Sequence, residues 1–192
     1  MRINVGLLRF RARSAARSPV SDHENRGHLL RRLLDYRVRF VVAGELAEEL
    51  RGAAHTTGPP PVLEICYASS TRNMQRLAKA LRELQGSSRV GPIAPDLITL
   101  RSTAALAPTT LFGTVCLRRD VAGVGGFEDA RRQSTRLRAF GLDLTVLDLS
   151  ALAQARTASS RREDIAKLPM LETLLALPAL EERYRELAAN RS

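Results

Sequence analysis

Hydrophobic residues follow two different spacings along the chain, and the changes between them predict its first elements. Four leucines recur at helical spacing and predict a helix that ends near Tyr36: Leu29, Leu30, Leu33 and Leu34. Residues 38–43 are apolar at most positions, as in a strand that is covered on both faces. Gly44 ends this strand, and residues 46–50 form the next helix.

A second strand-and-helix unit follows the first. Residues 62–67 are rich in β-forming side chains and predict a strand that neighbours the first one in the sheet. Residues 71–84 are strongly amphipathic and predict a helix. Its inward stripe consists of Met74, Leu77, Ala78, Leu81 and Leu84. Its outer face carries four basic residues, interpreted as a solvated surface: Arg72, Arg76, Lys79 and Arg82.

The second half of the chain continues the mixture of strands and helices. Strands are predicted over residues 96–100, 109–117 and 142–147. Helices are predicted over residues 126–140, 150–156, 163–168 and 180–189. The pattern therefore predicts a single α/β (α+β) domain, a mixed β-sheet flanked by helices, over residues 22–192.

Residues 1–21 differ from this domain in composition. They contain five arginines and no acidic residue, and they have neither a long apolar run nor a clear cleavage site. We interpret them as a basic N-terminal arm and not as a secretory signal.

The basic residues are dominated by arginine. The formal net charge is +10, and only Lys79 and Lys167 among the 30 basic residues are lysines. This bias has two alternative explanations, GC-rich codon usage and selection for an anionic partner. If a partner is present, RNA is favoured, because arginine pairs bidentately with phosphate and stacks on bases. No run is long and apolar enough to span a membrane, so we expect a cytoplasmic protein.

The cysteines and histidines do not form a recognisable metal motif. Cys66 and Cys116 are too few and too far apart for a disulfide framework or a zinc site. A metal site made by Glu64 with both cysteines is conceivable, but no histidine supports it. Buried cysteines that act as small apolar side chains are the simpler interpretation.

Several short segments resemble, in order, the nucleotidyltransferase-fold proteins of the AbiEii/AbiGii toxin class, the toxin side of bacterial toxin–antitoxin and phage-defence pairs. They are residues 39–47 (RFVVAGELA), 50–52 (LRG), 56–57 (TT), 65–68 (ICYA), 73–84 (NMQRLAKALREL) and 125–129 (GGFED). The resemblance implies a nucleotidyltransferase-like mixed sheet. It also implies a nucleotide or RNA as ligand and an antitoxin protein as possible partner.

The resemblance further implies a site for two Mg²⁺ ions, which in this family are held by an Asp-x-Asp pair and a third Asp. Here the pair is replaced by Val62 and Glu64, and the third Asp by Cys116. Glu64 is thus the one carboxylate left at these positions. A single carboxylate cannot hold two magnesium ions tightly, and a thiol is a soft, poor ligand for Mg²⁺.

The remaining site residues are also implied by the resemblance. Gly44 and Glu45 stand at the small-residue turn that receives the triphosphate, and Thr57 lies in the loop that follows. Arg156 takes the place of a phosphate-binding lysine, and Asp164 matches a family acid.

Two hypotheses follow from these departures. The first is a catalytically degenerate protein, a pseudoenzyme, that binds nucleotide, RNA or a protein partner and needs no cofactor. The second is an active Mg²⁺-dependent nucleotidyltransferase that modifies RNA (tRNA) or protein, using Glu64 with Asp120 or Asp164. Loss of one member of a cooperating catalytic set costs roughly 10⁴ to 10⁶ in rate, which favours the first.

Overall fold

The structure, a computed structural model, describes residues 22–53, 62–85, 95–159 and 162–189. The predicted N-terminal arm and Thr57 lie outside these residues. The helices are Asp22–Asp35 (α1), Gly44–Leu50 (α2), Thr71–Gln85 (α3), Leu97–Ser102 (α4), Phe127–Arg132 (α5), Leu149–Ser159 (α6), Arg162–Ile165 (α7) and Leu168–Ala189 (α8). The strands are Phe40–Ala43 (β1), Leu63–Tyr67 (β2), Ala105–Leu106 (β3), Thr109–Thr110 (β4), Gly113–Arg118 (β5), Asp120–Val121 (β6), Gly125–Gly126 (β7), Ser134–Ala139 (β8) and Leu142–Leu147 (β9).

The strands form a mixed sheet, which confirms the predicted fold class. Within the described residues it has seven strands in the order β3-β5-β2-β1-β9-β8, and β4 pairs with β5. β1 pairs with β2, which confirms that these two strands are neighbours in one sheet. The pair is antiparallel, whereas β1 and β9 are parallel. β2 and β5 are parallel, and a separate two-stranded hairpin joins β6 to β7.

The apolar core follows the patterns seen in the sequence. β1 is buried at all four positions, as expected for a strand covered on both faces. α3 buries the whole predicted stripe: Met74, Leu77, Ala78, Leu81 and Leu84. α1 packs against α3, and α5 packs against β1, β2, β8 and β9. Tyr67, although fully buried, donates a hydrogen bond from its hydroxyl to the carbonyl oxygen of Leu100 at 2.9 Å.

The strand predicted over residues 96–100 is wrong, because this segment forms α4. Asp96 explains the error. Its carboxylate accepts a hydrogen bond from the amide of Thr99 at 2.8 Å and so caps the helix N-terminus. The same hydrogen bond from Thr99 lowers the pKa of Asp96.

The helix predicted over residues 126–140 is also wrong beyond α5. β8 replaces its second half, with Leu137 opposite Leu144 of β9. Arg136 and Arg138 alternate with Leu137, and this two-residue period is that of a strand. Phe140 and Gly141 make the hairpin turn, both with positive φ, as a two-residue turn of this kind requires.

The other differences from prediction are smaller. The strand predicted over residues 109–117 is split by a turn into β4 and β5. In this turn the Thr110 hydroxyl accepts a hydrogen bond from the amide of Phe112 at 3.1 Å. The last helix begins at Leu168, earlier than predicted, with Pro169 in its first turn, where a proline costs no backbone hydrogen bond. No helix in the described part of the chain is long and apolar enough to cross a membrane.

Candidate functional site

A cleft of about 540 Å³ opens where β1 ends and where β2 begins. Its walls come from α2, β2, β5, α6 and the segment around α7. The lining residues that carry charge or sulfur, or that stand at predicted site positions, are Gly44, Glu45, Glu48, Val62, Glu64, Cys116, Arg118, Arg156, Ser159, Asp164 and Lys167. A cavity of this volume is large enough for a nucleotide-sized ligand.

The structure brings together the three positions at which the family resemblance implies metal ligands. Glu64 on β2 lies opposite Cys116 on the parallel strand β5, and Val62 comes just before β2. All three line the cleft, as the resemblance implies for residues of one site. Gly44, Glu45, Arg156 and Asp164 line it as well. The functional roles of these residues remain predictions.

Gly44 supports Glu64 at the floor of the cleft. Its φ is +63°, a left-handed conformation that side chains rarely adopt. A Cβ atom on Gly44 would lie 3.2 Å from Cδ of Glu64. The absence of a side chain therefore lets the Glu64 carboxyl group rest directly against the turn.

Glu64 is also paired with a cation from the neighbouring strand. Nε of Arg118 lies 2.9 Å from Oε1 of Glu64, and both side chains are partly exposed to the cleft. Arg118 sits two residues beyond Cys116, on the same face of β5. The guanidinium thus supplies a positive charge beside Glu64.

A second charged group links α2 to α6 and α7. Glu48 is fully buried, and its Oε1 accepts from Nε of Arg156 at 2.6 Å. Asp164 bonds Arg156 from the other side and also accepts from the hydroxyl of Ser159. Burial lowers the pKa of Arg156, but the hydrogen bond and charge of Glu48, together with Asp164, outweigh burial and raise it above the usual value. Arg156 therefore stays charged.

Glu45 is the third cleft carboxylate with its own cation. Lys167, just before α8, donates a hydrogen bond to Oε1 of Glu45. The cleft is also lined by four residues that were not predicted from the sequence: Glu48, Arg118, Ser159 and Lys167. Arg118 could have been predicted, because it lies two residues after Cys116 on the same strand and therefore shares its face. Lys167 and Ser159 carry no local signal, because their partners come from distant parts of the chain.

Two of the three alternative ligand sets, Glu64 with Asp120 and Glu64 with both cysteines, are not assembled in the described residues. Asp120 is exposed on β6 and is not among the described residues that line the cleft. Cys66 is buried, and its thiol donates to the carbonyl oxygen of Arg119 at 3.6 Å. Burial, with the charges of Asp120 and Glu64, raises the pKa of Cys66 to about 12. Cys66 therefore behaves as a protonated core residue, which corrects the Glu64–Cys66–Cys116 hypothesis.

The cleft does not fit the two Mg²⁺ ions that the family resemblance implies. Val62 offers no ligand, and Glu64 is engaged by Arg118. Burial and then the charge of Glu64 raise the pKa of Cys116, which keeps it a neutral thiol. Within the described residues, no group of three or more His, Cys, Asp and Glu side chains is arranged to hold a metal ion.

Comparison with solved structures places the fold among nucleotidyltransferases. The chain is similar to the antibiotic-resistance factor ANT(2″)-Ia, an aminoglycoside nucleotidyltransferase, in its solution structure. The match has a TM-score of 0.51 and 11% sequence identity, and it covers 88% of this chain and 98% of that one. The protein has a nucleotidyltransferase-like fold. A scan against models of protein families gives no match for the chain, and a comparison with curated proteins gives none either.

Proposed function

We propose that this protein is a nucleotidyltransferase-like binding protein of the toxin–antitoxin type, whose cleft takes up a nucleotide without metal-dependent transfer. The observation that carries the proposal is the pairing of the cleft carboxylates with protein cations. Glu64 is paired with Arg118 at the former metal-ligand position, and Glu45 is paired with Lys167. The order of motifs and the fold support the nucleotidyltransferase relationship.

Three cations supply the binding chemistry in place of metal ions. Arg118, Arg156 and Lys167 all line the cleft and are donors suited to phosphate oxygens. Arg156 is held between Glu48 and Asp164, and its Nη2 has no hydrogen-bond partner in the described protein but is buried, so a ligand would reach this donor only after Arg156 shifts. A phosphate would compete with Glu64 for Arg118 and with Glu45 for Lys167, and we therefore expect modest affinity.

The binding test uses mant-labelled ATP and GTP with the full chain, in EDTA and in magnesium. We expect the same affinity in both buffers. Arg118→Gln and Lys167→Gln should each weaken binding about tenfold, because each removes a charge-assisted hydrogen bond. Arg136→Gln, an exposed change of equal charge on β8, serves as the matched control. Binding that requires magnesium would contradict the proposal.

The transfer test separates this proposal from an active enzyme that modifies tRNA or protein. That alternative is favoured by the presence of Glu64 and Asp164 in one cleft. We expect no labelled nucleotide on tRNA or on the protein itself. The triple variant Val62→Asp, Glu64→Asp and Cys116→Asp, made in an Arg118→Gln background, should gain transfer if the missing ligands are what silences the site. Magnesium-dependent transfer by the unmodified protein, abolished by Glu64→Ala, would show that it is an enzyme.

A further inference from the structure

A cluster of arginines surrounds the end of the sheet opposite the cleft. The cleft lies where β1 ends at Gly44, whereas these arginines lie around the start of β1, the start of α3, and the ends of α4 and β5. We call them the sheet-end arginines, and they are Arg37, Arg72, Arg76, Arg101 and Arg119. Three of the five are exposed: Arg37, Arg72 and Arg101.

Hydrogen bonds join these residues into one surface, although they are distant in sequence. Nη1 of Arg76 donates to the carbonyl oxygen of Arg37 at 3.1 Å. Nη2 of Arg101 donates to the hydroxyl of Thr71 at 2.6 Å, and Thr71 precedes Arg72 in the first turn of α3. Nη1 of Arg119 donates to the carbonyl oxygen of Arg101 at 2.6 Å. Neutral acceptors therefore position three of the five guanidinium groups, those of Arg76, Arg101 and Arg119.

The charge of this surface is not neutralised by carboxylates. Across the described residues, salt bridges engage other arginines and one lysine, and none involves a sheet-end arginine. Arg39, close by at the start of β1, shows the contrast, because its Nη2 lies 3.1 Å from Oε1 of Glu128. A guanidinium has five donors, so one bond to a carbonyl or hydroxyl leaves most of the fork for a ligand.

We propose that the sheet-end arginines bind the phosphate backbone of a nucleic acid. Guanidinium groups spread over several elements match a ligand with repeated anionic groups better than a single phosphate. Arginine suits this ligand because its planar fork matches phosphate oxygens and its face stacks on bases. None of the five arginines is among the described residues that line the cleft, although Arg118, next to Arg119, is one of them. The proposal does not depend on what the cleft binds.

The experiment measures binding of a fluorescein-labelled single-stranded RNA 20-mer by anisotropy over a range of KCl concentrations. Arg37→Gln with Arg72→Gln removes two charges from the cluster, and neither side chain makes a described hydrogen bond or salt bridge. We expect about tenfold weaker binding, and a salt slope that falls by about 0.7 for each phosphate that the variant no longer neutralises. Thermal melts establish that the variants fold.

The matched control is Arg136→Gln with Arg138→Gln, which removes the same charge from the exposed face of β8. We expect this control to bind RNA as the unmodified protein does. Equal weakening in both double variants would overturn the proposal, because net charge alone would then explain binding. Single-stranded DNA of the same sequence should bind with a similar salt slope if phosphates dominate. Binding to anionic phospholipid vesicles but not to nucleic acid would also overturn it.

The cleft variants make the two proposals separable. Lys167→Gln should leave RNA affinity unchanged while it weakens mant-nucleotide binding. Arg37→Gln with Arg72→Gln should do the reverse. RNA binding that is abolished by Lys167→Gln and kept in the sheet-end variant would place the nucleic acid in the cleft and refute the second site.

Discussion

At the scale of single residues, the floor of the cleft depends on one contact between a backbone and a side chain. Gly44 combines a left-handed φ with a close approach to Glu64. A side chain at residue 44 would be strained by this backbone conformation, and its Cβ atom would crowd Glu64. Together, this conformation and the close approach hold the Glu64 carboxyl group where Arg118 can reach it.

Gly44→Ala tests this contact. The left-handed backbone should cost about 1–2 kcal/mol of unfolding free energy, and displacement of Glu64 should add to it. Chemical denaturation measures the effect. In a Glu64→Ala background the same substitution should cost less, because the carboxyl group is gone and only the contact with Cβ of residue 64, at 3.2 Å, remains. An equal cost in both backgrounds would mean that the Glu64 carboxyl group adds nothing to the cost.

Cys116 reports the electrostatics of the cleft through its reactivity. Burial and then Glu64 raise its pKa, while Arg118 lowers it. Alkylation requires the thiolate. Glu64→Gln should therefore lower the pKa and speed alkylation at pH 8, and Arg118→Gln should raise the pKa and slow it. Mass spectrometry after iodoacetamide treatment gives the rates, with Cys66 as an unreactive internal reference. Changes of the same sign in both variants would rule out this arrangement of charges.

At the scale of elements, Arg51 fastens the end of α2 to the end of β9. Its Nη2 donates to the carbonyl oxygen of Val146 at 2.6 Å and to Oδ1 of Asp148 at 2.8 Å. Its Nε donates to the carbonyl oxygen of Leu147 at 3.1 Å. These hydrogen bonds from the Arg51 guanidinium hold α2 against the sheet. Glu45 and Glu48, which lie on α2, are held there with it.

Arg51→Lys should destabilise the protein by about 1–3 kcal/mol, because an ammonium group cannot satisfy these acceptors simultaneously. Urea denaturation gives the value. Arg31→Lys, on the exposed side of α1, is the control and should have almost no effect. A negligible change in the Arg51 variant would mean that the fork contributes little to stability.

The sequence predicted elements where a local pattern determines them. The stripe of α3 and the apolar run of β1 were confirmed because burial there follows from periodicity. α4 was misassigned because its short length hides a helical period, and only the Asp96 cap reveals it. β8 was read as a helix because Leu137 and Ala139 are its only apolar residues, too few to make its two-residue period clear.

The candidate site likewise contains residues that could be predicted from the sequence and ion pairs that could not. The family resemblance was sufficient to predict that Val62, Glu64 and Cys116 share a site, and all three line one cleft. Pairings such as Lys167 with Glu45 depend on the three-dimensional path of the chain, and no local pattern encodes them.

At the scale of the whole molecule, the Glu48–Arg156–Asp164 group ties the N-terminal half to the C-terminal helices. Arg156→Met would remove the cation that Glu48 and Asp164 share, and we expect destabilisation by about 3–5 kcal/mol. Adding Glu48→Met should recover part of this stability, because it removes the fully buried carboxylate, while Asp164 keeps its hydrogen bond from Ser159. Denaturation of the two variants checks this. A double variant less stable than the single one would contradict the argument.

The position of β1 has a consequence for synthesis of the chain. One neighbour, β2, follows it closely in sequence, but the other, β9, comes from much later. During translation, the central strand therefore emerges with one hydrogen-bonding edge open until β9 leaves the ribosome. An open, fully apolar strand edge can pair with other chains and seed aggregation. Nascent or truncated chains that stop before Leu142 should consequently depend on chaperones, whereas the complete chain should not.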